Sequence, residues 1–183
     1  MSSLSRFTNE DLPEHFKWQI LDFVRIHWFD IFQYELYPHA MPDDWKPIYF
    51  IVAEEQALFS HAGVVTRTVE CNGETYSCTG LSGVLTYPAF RKRGYASQVL
   101  DAANEYITNS DFDMALLWTG DDMEGFYARW GWEHIPGLKT YYRDRNNPEL
   151  HDPFTMIRIL SDRAKANRAD FAQYPVYIGE YAW

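Results

Sequence analysis

The stretch Arg91-Lys92-Arg93-Gly94-Tyr95-Ala96 lies between a strand-like run and an amphipathic helix, and it decides the fold prediction. The preceding run, Gly83-Val84-Leu85-Thr86, is broken at Pro88, because proline cannot continue a strand ladder. Apolar residues then recur on one helical face, at Tyr95, Val99, Ala102, Ala103, Tyr106 and Ile107. A basic turn with a glycine that opens a helix combines backbone N–H groups, a helix dipole and cationic side chains. The stretch therefore predicts a pyrophosphate site.

The pattern Arg91-x-x-Gly94-x-Ala96, with Pro88 ahead of it, resembles the pyrophosphate loop of the GNAT family of N-acetyltransferases. Glycine has a mechanical role in such a loop, because only a residue without Cβ lets the backbone close on a phosphate. Six residues alone are also typical of a solvated, basic helix start. The resemblance implies that acetyl-CoA, or coenzyme A, is the cofactor. Its pyrophosphate would be held by Arg91, Lys92, Arg93, Gly94, Tyr95 and Ala96.

Composition and charge narrow the classes of function. The 183 residues, 46% of them hydrophobic, predict one domain over 1–183 with a substantial core. A net charge of −10 argues against nucleic acid as a partner and favours a cationic substrate, although solubility explains an acidic chain equally well. Because no apolar run reaches the ~20 residues of a membrane span and the N-terminus lacks a signal-peptide core, we expect no membrane partner and a cytoplasmic location.

The two cysteines flank the strongest hairpin signal in the chain. Asn72-Gly73 separates two strand-like runs, and a two-residue turn there holds Cys71 and Cys78 too far apart for a disulfide. Both thiols are therefore predicted to stay reduced. No histidine pair has metal-ligand spacing at i,i+4, and no Gly-x-Ser-x-Gly elbow is present, so the sequence predicts neither a metal site nor a serine nucleophile.

The remaining periodicity, with the family resemblance, predicts the architecture. A first helix starts at 11–14, with Asp11 as its cap, and ends near Tyr37-Pro38. Strands are expected at 49–53, 58–70, 74–86, 114–118, 154–160 and 176–178, and helices at 95–107, 123–130 and 161–173. This order predicts an α/β class fold (α+β, with a mixed sheet). It matches the GNAT-like acyl-CoA N-acyltransferase fold, whose central, mostly antiparallel sheet is splayed at the cofactor site and flanked by helices.

The strand before the loop has an implied role in holding the pantetheine arm. In the family, backbone groups just ahead of the pyrophosphate loop bind the pantetheine and the thioester carbonyl, and these positions are Val84, Leu85 and Thr86 here. A splay near Gly80 and Gly83 would leave such backbone groups without a neighbouring strand. The side chains of Val84 and Leu85 can still belong to the core.

A second motif supplies a candidate acid. The segment 126–132 resembles the family's Tyr-x-x-x-Gly-aromatic pattern, with Tyr127 and Gly131 at the matching positions. The family's tyrosine often protonates the departing thiolate, a role that suits a phenol. Alternatively, Tyr127 packs with Phe126 and Met123 as an ordinary helix residue.

A closer, partial resemblance covers roughly residues 45–183. The stretch from Thr66-Arg67 to Gly80-Leu81, Val84, the loop at 91–94, and Tyr127-Ala128 with Gly131-Trp132 resemble the aminoglycoside 2'-N-acetyltransferases. The resemblance includes the ending Gly179-Glu180-Tyr181-Ala182-Trp183. In those enzymes the terminal carboxylate and nearby acids contact the aminoglycoside amines. The resemblance implies that the Trp183 carboxylate, Glu180 and Asp152 lie beside the substrate, the first two as candidates to act on the amine. Asp44 (or Asp43), in the loop before Trp45, is a further candidate acid for substrate binding. The alternative is that Trp183 plugs the end of a closing strand.

One position departs from that pattern. The related enzymes carry a glutamate that acts on the amine on the strand before the loop, and Ser82 stands there. Serine is no general base at neutral pH, so either Glu180 or the Trp183 carboxylate serves, or the substrate differs. Ser82 itself is then a candidate substrate contact.

The first helix and the loop after it are rich in aromatic residues. We interpret His27 as a core histidine, and most of the aromatic residues as core as well. An aromatic-lined acceptor pocket remains a second interpretation, because this region overhangs the acceptor site in the family. The residues concerned include Trp18, Trp28, Phe29, Phe32 and Tyr34.

The sequence thus predicts an acetyl-CoA-dependent N-acetyltransferase that acts on a small, cationic, primary amine by direct transfer in a ternary complex. Two alternatives stay open: a non-catalytic acyl-CoA-binding module, favoured by Ser82, and a protein or peptide amine acetyltransferase. A homodimer is neither required nor excluded by the sequence.

Overall fold

The computed structural model describes residues 2–28, 41–151 and 153–183. These residues fall into two compact units. Unit 1 comprises Met1–Val65 and Leu81–Glu105, and unit 2 comprises Thr66–Gly80 and Tyr106–Trp183. The two longest strands, β3 (Ala57–Cys71) and β4 (Glu74–Thr86), contribute residues to both units.

Unit 1 is built on antiparallel pairing. The edge strand β1 (Ser3–Thr8) pairs with β2 (Ile48–Glu54), and β2 pairs with β3, with Ile51 opposite His61. The apolar run of β2 is almost wholly buried, which explains why its pattern does not alternate. Helix α1 (Glu14–His27) buries Phe16, Ile20, Leu21 and Phe23.

Helix α1 does not begin as the sequence predicts. Its N-cap is Pro13, without a side-chain cap, and the Asp11 carboxylate instead accepts hydrogen bonds from the backbone and hydroxyl of Thr8. The capping prediction is therefore wrong, because a turn after β1 claims the aspartate. The helix ends at His27, and Trp28 is not helical (φ −128°, ψ 48°), so the prediction of a helix that runs on to Tyr37-Pro38 is wrong. Residues 29–40 themselves lie outside the described residues.

Unit 2 carries a mixed sheet in the order β7-β6-β9-β3-β4-β5-β8. The strands β4 and β5 (Met114–Thr119) are parallel, and β5 and β8 (Phe154–Ile159) are antiparallel. The three short strands β6 (Thr140–Tyr142), β7 (Glu149–His151) and β9 (Val176–Tyr177) complete it. The mixed α/β fold predicted from the sequence is confirmed.

The Asn72-Gly73 hairpin is confirmed. β3 ends at Cys71 and β4 begins at Glu74, and Asn72 (φ 49°) and Gly73 (φ 77°) both adopt the left-handed conformation of a type I′ turn. Both cysteines are free and buried, and burial raises the pKa of the Cys71 thiol to about 11. The thiols are therefore protonated at neutral pH.

Helix α2 spans Tyr95–Thr108. The helices that follow it are shorter than the periodicity of the sequence suggests. Helix α3 (Glu124–Tyr127) lies between 3-10 turns, and the second turn (Ala128–Trp130) ends at Gly131, whose φ of 77° favours glycine. The single helix expected over 161–173 is two, α4 (Asp162–Ala166) and α5 (Asp170–Gln173). None of the described helices is long and apolar enough to cross a membrane.

Candidate functional site

The loop before α2 has the backbone of an anion-binding nest. Lys92 (φ 61°) and Gly94 (φ 80°) are left-handed on either side of Arg93, and α2 opens at Tyr95. Alternation of this kind turns successive N–H groups toward one concavity, which favours phosphate oxygens. An added Cβ at Gly94 would meet no atom within 4 Å, so the space on that side is open for a ligand. The loop therefore fits a pyrophosphate.

An aromatic contact fixes both ends of the loop. Phe59 of β3 packs on Phe90 with ring centroids 3.9 Å apart and on Tyr95 at 5.2 Å. Phe90 closes the short 3-10 turn Pro88–Phe90, and Tyr95 opens α2. Packing on β3 therefore holds both ends of the loop.

The cationic side chains of the loop are exposed. Arg91 donates from Nε to Thr86 O (3.1 Å), which holds its guanidinium beside the end of β4. The Arg93 guanidinium lies 5.9 Å from the centre of the Phe90 ring. Exposed cations of this kind suit an anionic ligand, and a backbone nest suits phosphate oxygens.

The end of β4 presents backbone groups in a defined direction. The parallel ladder with β5 stops at the pair Gly80↔Leu116. Leu85 O accepts from a β3 side chain and Tyr87 N donates to Phe59 O, so odd-numbered backbone groups face β3. Because backbone groups alternate along a strand, those of Val84 and Thr86 face away from β3. This geometry suits the predicted pantetheine contacts.

A cleft of about 320 Å³ connects these predicted residues. From β4 and the loop it is lined by Val84, Leu85, Thr86 and Arg91, and from α1 by Phe23, His27 and Trp28. The structure therefore brings the predicted pantetheine strand and the first loop cation to one cleft. Lys92, Arg93, Gly94, Tyr95 and Ala96 continue from it along the loop.

Two aromatic predictions need adjustment. His27 is exposed at the end of α1, with its ring 4.1 Å from that of Phe23, so its assignment to the core is wrong. Trp28 follows the helix end, where the side chain reaches the cleft and stays 37% exposed. Trp18 is also exposed, whereas Phe29, Phe32 and Tyr34 lie outside the described residues. The aromatic side chains that line the cleft, Phe23, His27 and Trp28, therefore come from the last part of α1 and the residue after it.

The structure adds two polar residues of β3 that sequence reasoning missed. The Ser60 hydroxyl donates to Leu85 O (2.7 Å), and His61 Nδ1 lies 2.8 Å from Gly83 O. Both residues are fully buried. Burial lowers the pKa of His61 to about 4, so the imidazole is neutral at physiological pH. No local pattern in the sequence signals this pair, because it depends on the alignment of β3 with β4.

The predicted acid, Tyr127, is buried at the end of α3 in unit 2. Its ring meets Phe126 edge-on, with centroids 5.1 Å apart. Burial raises the pKa of Tyr127 to about 12, so the phenol keeps its proton at neutral pH. It is in the protonation state that a general acid needs.

Residues 179–183 form a C-terminal strap within unit 2. The backbone N–H of Arg143 donates to Gly179 O (3.1 Å) and Glu180 O (3.2 Å), and the Glu180 side chain is exposed. The Trp183 indole packs edge-on against Trp118, with centroids 4.3 Å apart. An added Cβ at Gly80 would lie 1.8 Å from Trp183 Nε1, so the indole lies directly on the strand backbone.

Three predicted substrate contacts remain. Asp44 is exposed in the 3-10 turn Asp43–Trp45, which Asn9 holds through the Asp43 carboxylate. Ser82 is half-buried on β4, directly before the left-handed Gly83. Asp152 lies outside the described residues. Across the ranges that the structure describes, no group of three acidic, histidine or cysteine side chains is arranged to hold a metal.

The fold is a mixed α/β fold, and a loop with left-handed Lys92 and Gly94 precedes its helix α2. The family model for the acetyltransferase (GNAT) domain matches residues 27–135, more than half of the chain. The chain belongs to this GNAT acetyltransferase family. No curated protein matches the chain at a significant level.

Solved structures agree on the fold. Escherichia coli YhbS, a GNAT family N-acetyltransferase in complex with CoA, has a TM-score of 0.60 at 13% identity, covering 97% of this chain and 91% of its own. Escherichia coli ElaA has a TM-score of 0.59 at 15% identity, covering 86% of this chain and 99% of its own. A GNAT acetyltransferase from Brucella melitensis in complex with acetyl-CoA has a TM-score of 0.51 at 11% identity, covering 88% and 89%.

Proposed function

We propose that this chain, acting as one domain over 1–183, transfers an acetyl group from acetyl-CoA to a primary amine. The observation that carries the proposal is the continuous path from Val84 and Thr86, through the cleft, to Arg91 and the left-handed Gly94. A backbone nest with three exposed cations suits a pyrophosphate, and outward-facing strand amides suit a pantetheine arm. Open space at the Gly94 Cβ position supports the same ligand.

Acetyl-CoA, when bound, supplies a thioester carbonyl for attack by the amine and a thiolate as leaving group. The chain's residues then have separate tasks. The backbone of Val84 and Thr86, which faces away from β3, orients the arm of the cofactor. Tyr127 holds a proton at its phenol oxygen, and we propose that this proton goes to the departing thiolate. Leu85 contributes a buried side chain that anchors the strand.

We propose a small, cationic acceptor, with aminoglycosides as the first class to test. The net charge of −10 favours cations by long-range attraction. The exposed Glu180 and Asp44 are carboxylates that could pair with ammonium groups, and Asp152 and Ser82 complete the proposed contacts. Because Ser82 is no base, we assign amine deprotonation to Glu180 or the carboxylate of Trp183.

The test is a thiol-release assay with acetyl-CoA against aminoglycosides, polyamines, amino acids and short peptides, run beside calorimetry with CoA. Turnover on a cationic small amine supports the proposal, and turnover on peptides alone would move the acceptor class to a protein or peptide amine. Glu180→Gln should raise KM or lower kcat for the best acceptor. Glu124→Gln, which removes an exposed carboxylate from α3, is the matched control.

Ser82 favours a second candidate function, a non-catalytic module that binds acyl-CoA. The position lacks the carboxylate expected of the aminoglycoside enzymes. Tight CoA binding without thiol release on any amine in the panel would support this module and remove the catalytic proposal.

A further inference from the structure

Two neighbouring side chains of β3 hold the carbonyls of the proposed cofactor strand. Ser60 donates to Leu85 O at 2.7 Å, and the imidazole of His61 reaches Gly83 O at 2.8 Å. Ser60 and His61 are both fully buried polar residues in an apolar strand. Buried polar groups are costly unless they are hydrogen-bonded, so each of these two side chains depends on its carbonyl partner. Apolar residues would fill the same positions without that requirement.

The proton positions follow from the partners. A carbonyl only accepts, so His61 Nδ1 carries the proton and Nε2 carries the lone pair. Nε2 is buried and has no hydrogen-bond partner among the residues that the structure describes. The ring of Tyr49, a titratable side chain, lies beside that of His61, with centroids 5.6 Å apart. Among the described residues, burial and the hydrogen bond to Gly83 O shift the pKa of His61. His61 therefore acts here as a neutral, single-proton donor.

The hydroxyls of Ser60 and Thr86 connect these hydrogen bonds to Arg91, the first cation of the loop. Because Ser60 gives its proton to Leu85 O, the contact of 2.8 Å between Ser60 Oγ and Thr86 Oγ1 has Thr86 as donor. Thr86 O in turn accepts from Arg91 Nε. A chain of hydrogen bonds thus runs from β3 through Thr86 to the guanidinium that lines the cleft.

The backbone of Gly83 lies close to the imidazole of His61. Its φ is +57°, and an added Cβ would lie 3.3 Å from His61 Cε1. This left-handed residue sits directly before Val84. Because the Gly83 carbonyl and the Val84 N–H belong to one planar trans peptide, a bond that holds the carbonyl toward β3 also points the Val84 N–H away from β3.

We propose that Ser60 and His61 are positioning residues for the cofactor. They hold Gly83 O and Leu85 O toward β3, so that the backbone of Val84 and Thr86 and the head of Arg91 are presented to the cleft before any ligand binds. The inference rests on the proposed binding of CoA at this cleft. It adds a second layer of residues that sets affinity without touching the ligand, since preorganised groups lose less freedom on binding.

A set of substitutions separates positioning from folding. His61→Leu keeps a side chain of similar size and removes the hydrogen-bond donor, whereas His61→Gln keeps a neutral donor in its amide group. Ser60→Ala removes the other bond with little change in volume. His134→Leu is the matched control, because His134 Nδ1 also lies 3.0 Å from a carbonyl, that of Thr155, in unit 2. CoA binding is measured by calorimetry, and amide exchange at 83–86 by mass spectrometry.

We expect His61→Leu to weaken CoA binding about tenfold and Ser60→Ala several-fold, as the loss of a hydrogen bond allows. His61→Gln should stay close to the wild type at neutral pH. In acid it should lose less affinity than the wild type, because a protonated imidazole has no acceptor for its Nε2 proton among the described residues. Amide exchange at 83–86 should rise in His61→Leu and not in His134→Leu.

The outcomes can be told apart. Wild-type affinity in both His61→Leu and Ser60→Ala would overturn this inference alone. If His61→Leu fails to fold, Ser60→Ala decides. Absence of CoA binding by the wild type would overturn the proposed function. In that case unchanged exchange at 83–86 in His61→Leu would overturn the positioning role too, and raised exchange would support it for the strand.

Discussion

Gly94 and Gly73 show how one backbone conformation serves two purposes. Both have a φ near +80° and open space at the Cβ position, yet Gly73 closes a hairpin and Gly94 completes the nest. An L-residue with Cβ loses about 1–2 kcal/mol in this conformation at either site. Only at Gly94 would the new methyl group also occupy the space proposed for a phosphate.

We therefore expect Gly94→Ala and Gly73→Ala to destabilise the fold by similar amounts, while Gly94→Ala alone weakens CoA binding, by about tenfold. Thermal unfolding and CoA calorimetry on both variants check this. Equal CoA affinities in the two variants would remove the nest from the site.

Tyr127 allows a test of the acid. Tyr127→Phe should lower kcat while leaving CoA affinity nearly intact, because the phenol proton matters only when the thiolate departs. Tyr76→Phe is the control in the same unit, since its hydroxyl is buried and accepts from Asn167 (2.9 Å). It should cost about 1 kcal/mol of stability and no turnover. Wild-type kcat in Tyr127→Phe would remove Tyr127 from the mechanism.

His61 makes the fold sensitive to acid. An unfolded-state histidine takes up a proton below pH 6.5, whereas the pKa of buried His61 is lowered to about 4. The free energy of unfolding should therefore fall as the pH drops from 6.5 to about 4, by roughly 3 kcal/mol in total. His61→Gln lacks this dependence. Denaturant titrations across that range should give a flatter curve for the variant, and parallel curves would contradict the assignment.

Among the elements, β4 and α2 were predictable because each has its own local signal. The turn at Asn72-Gly73 and the break at Pro88 give the bounds of β4, and α2 starts where the periodicity starts. The strands β1, β6 and β7 were missed, because short edge strands are defined by their partners. In β1 the apolar Leu4 is 45% exposed, so no alternation marks the strand.

The contact between β4 and the C-terminal strap gives a prediction for the element. Gly80→Ala places a methyl group where the Trp183 indole lies, so we expect a loss of about 1–3 kcal/mol of stability. The double variant Gly80→Ala/Trp183→Ala should lose less than the sum of the single changes. Gly125→Ala, with nothing near its Cβ position on α3, is the control and should be neutral or stabilising. Additive losses would contradict direct packing.

For the chain as a whole, net charge leads to a prediction about substrates. A protein of net charge −10 attracts polycations, and salt screens that attraction. We expect KM for a polyamine acceptor to rise with ionic strength more steeply than KM for a monoamine. Thiol release measured at low and high salt checks this, and equal slopes would remove long-range steering.

Sequence reasoning reached those residues of the candidate site that are consecutive or nearly so in the chain. The loop residues Arg91 and Gly94 and the strand residues Val84 and Thr86 lie in one continuous segment, so a motif can represent them. Ser60 and His61 lie more than 20 residues earlier, and their role depends on which β4 carbonyls they face. His27 was misassigned because helical periodicity alone does not show that a helix ends beside a cleft.

Calorimetry of the full chain with CoA and with pantetheine tests the assignment of the loop. We predict that CoA binds and that pantetheine, which lacks the pyrophosphate, binds far more weakly, because the nest and its cations contact only the phosphates. Equal affinities for the two compounds, or no binding of CoA, would contradict a pyrophosphate site at Arg91–Ala96.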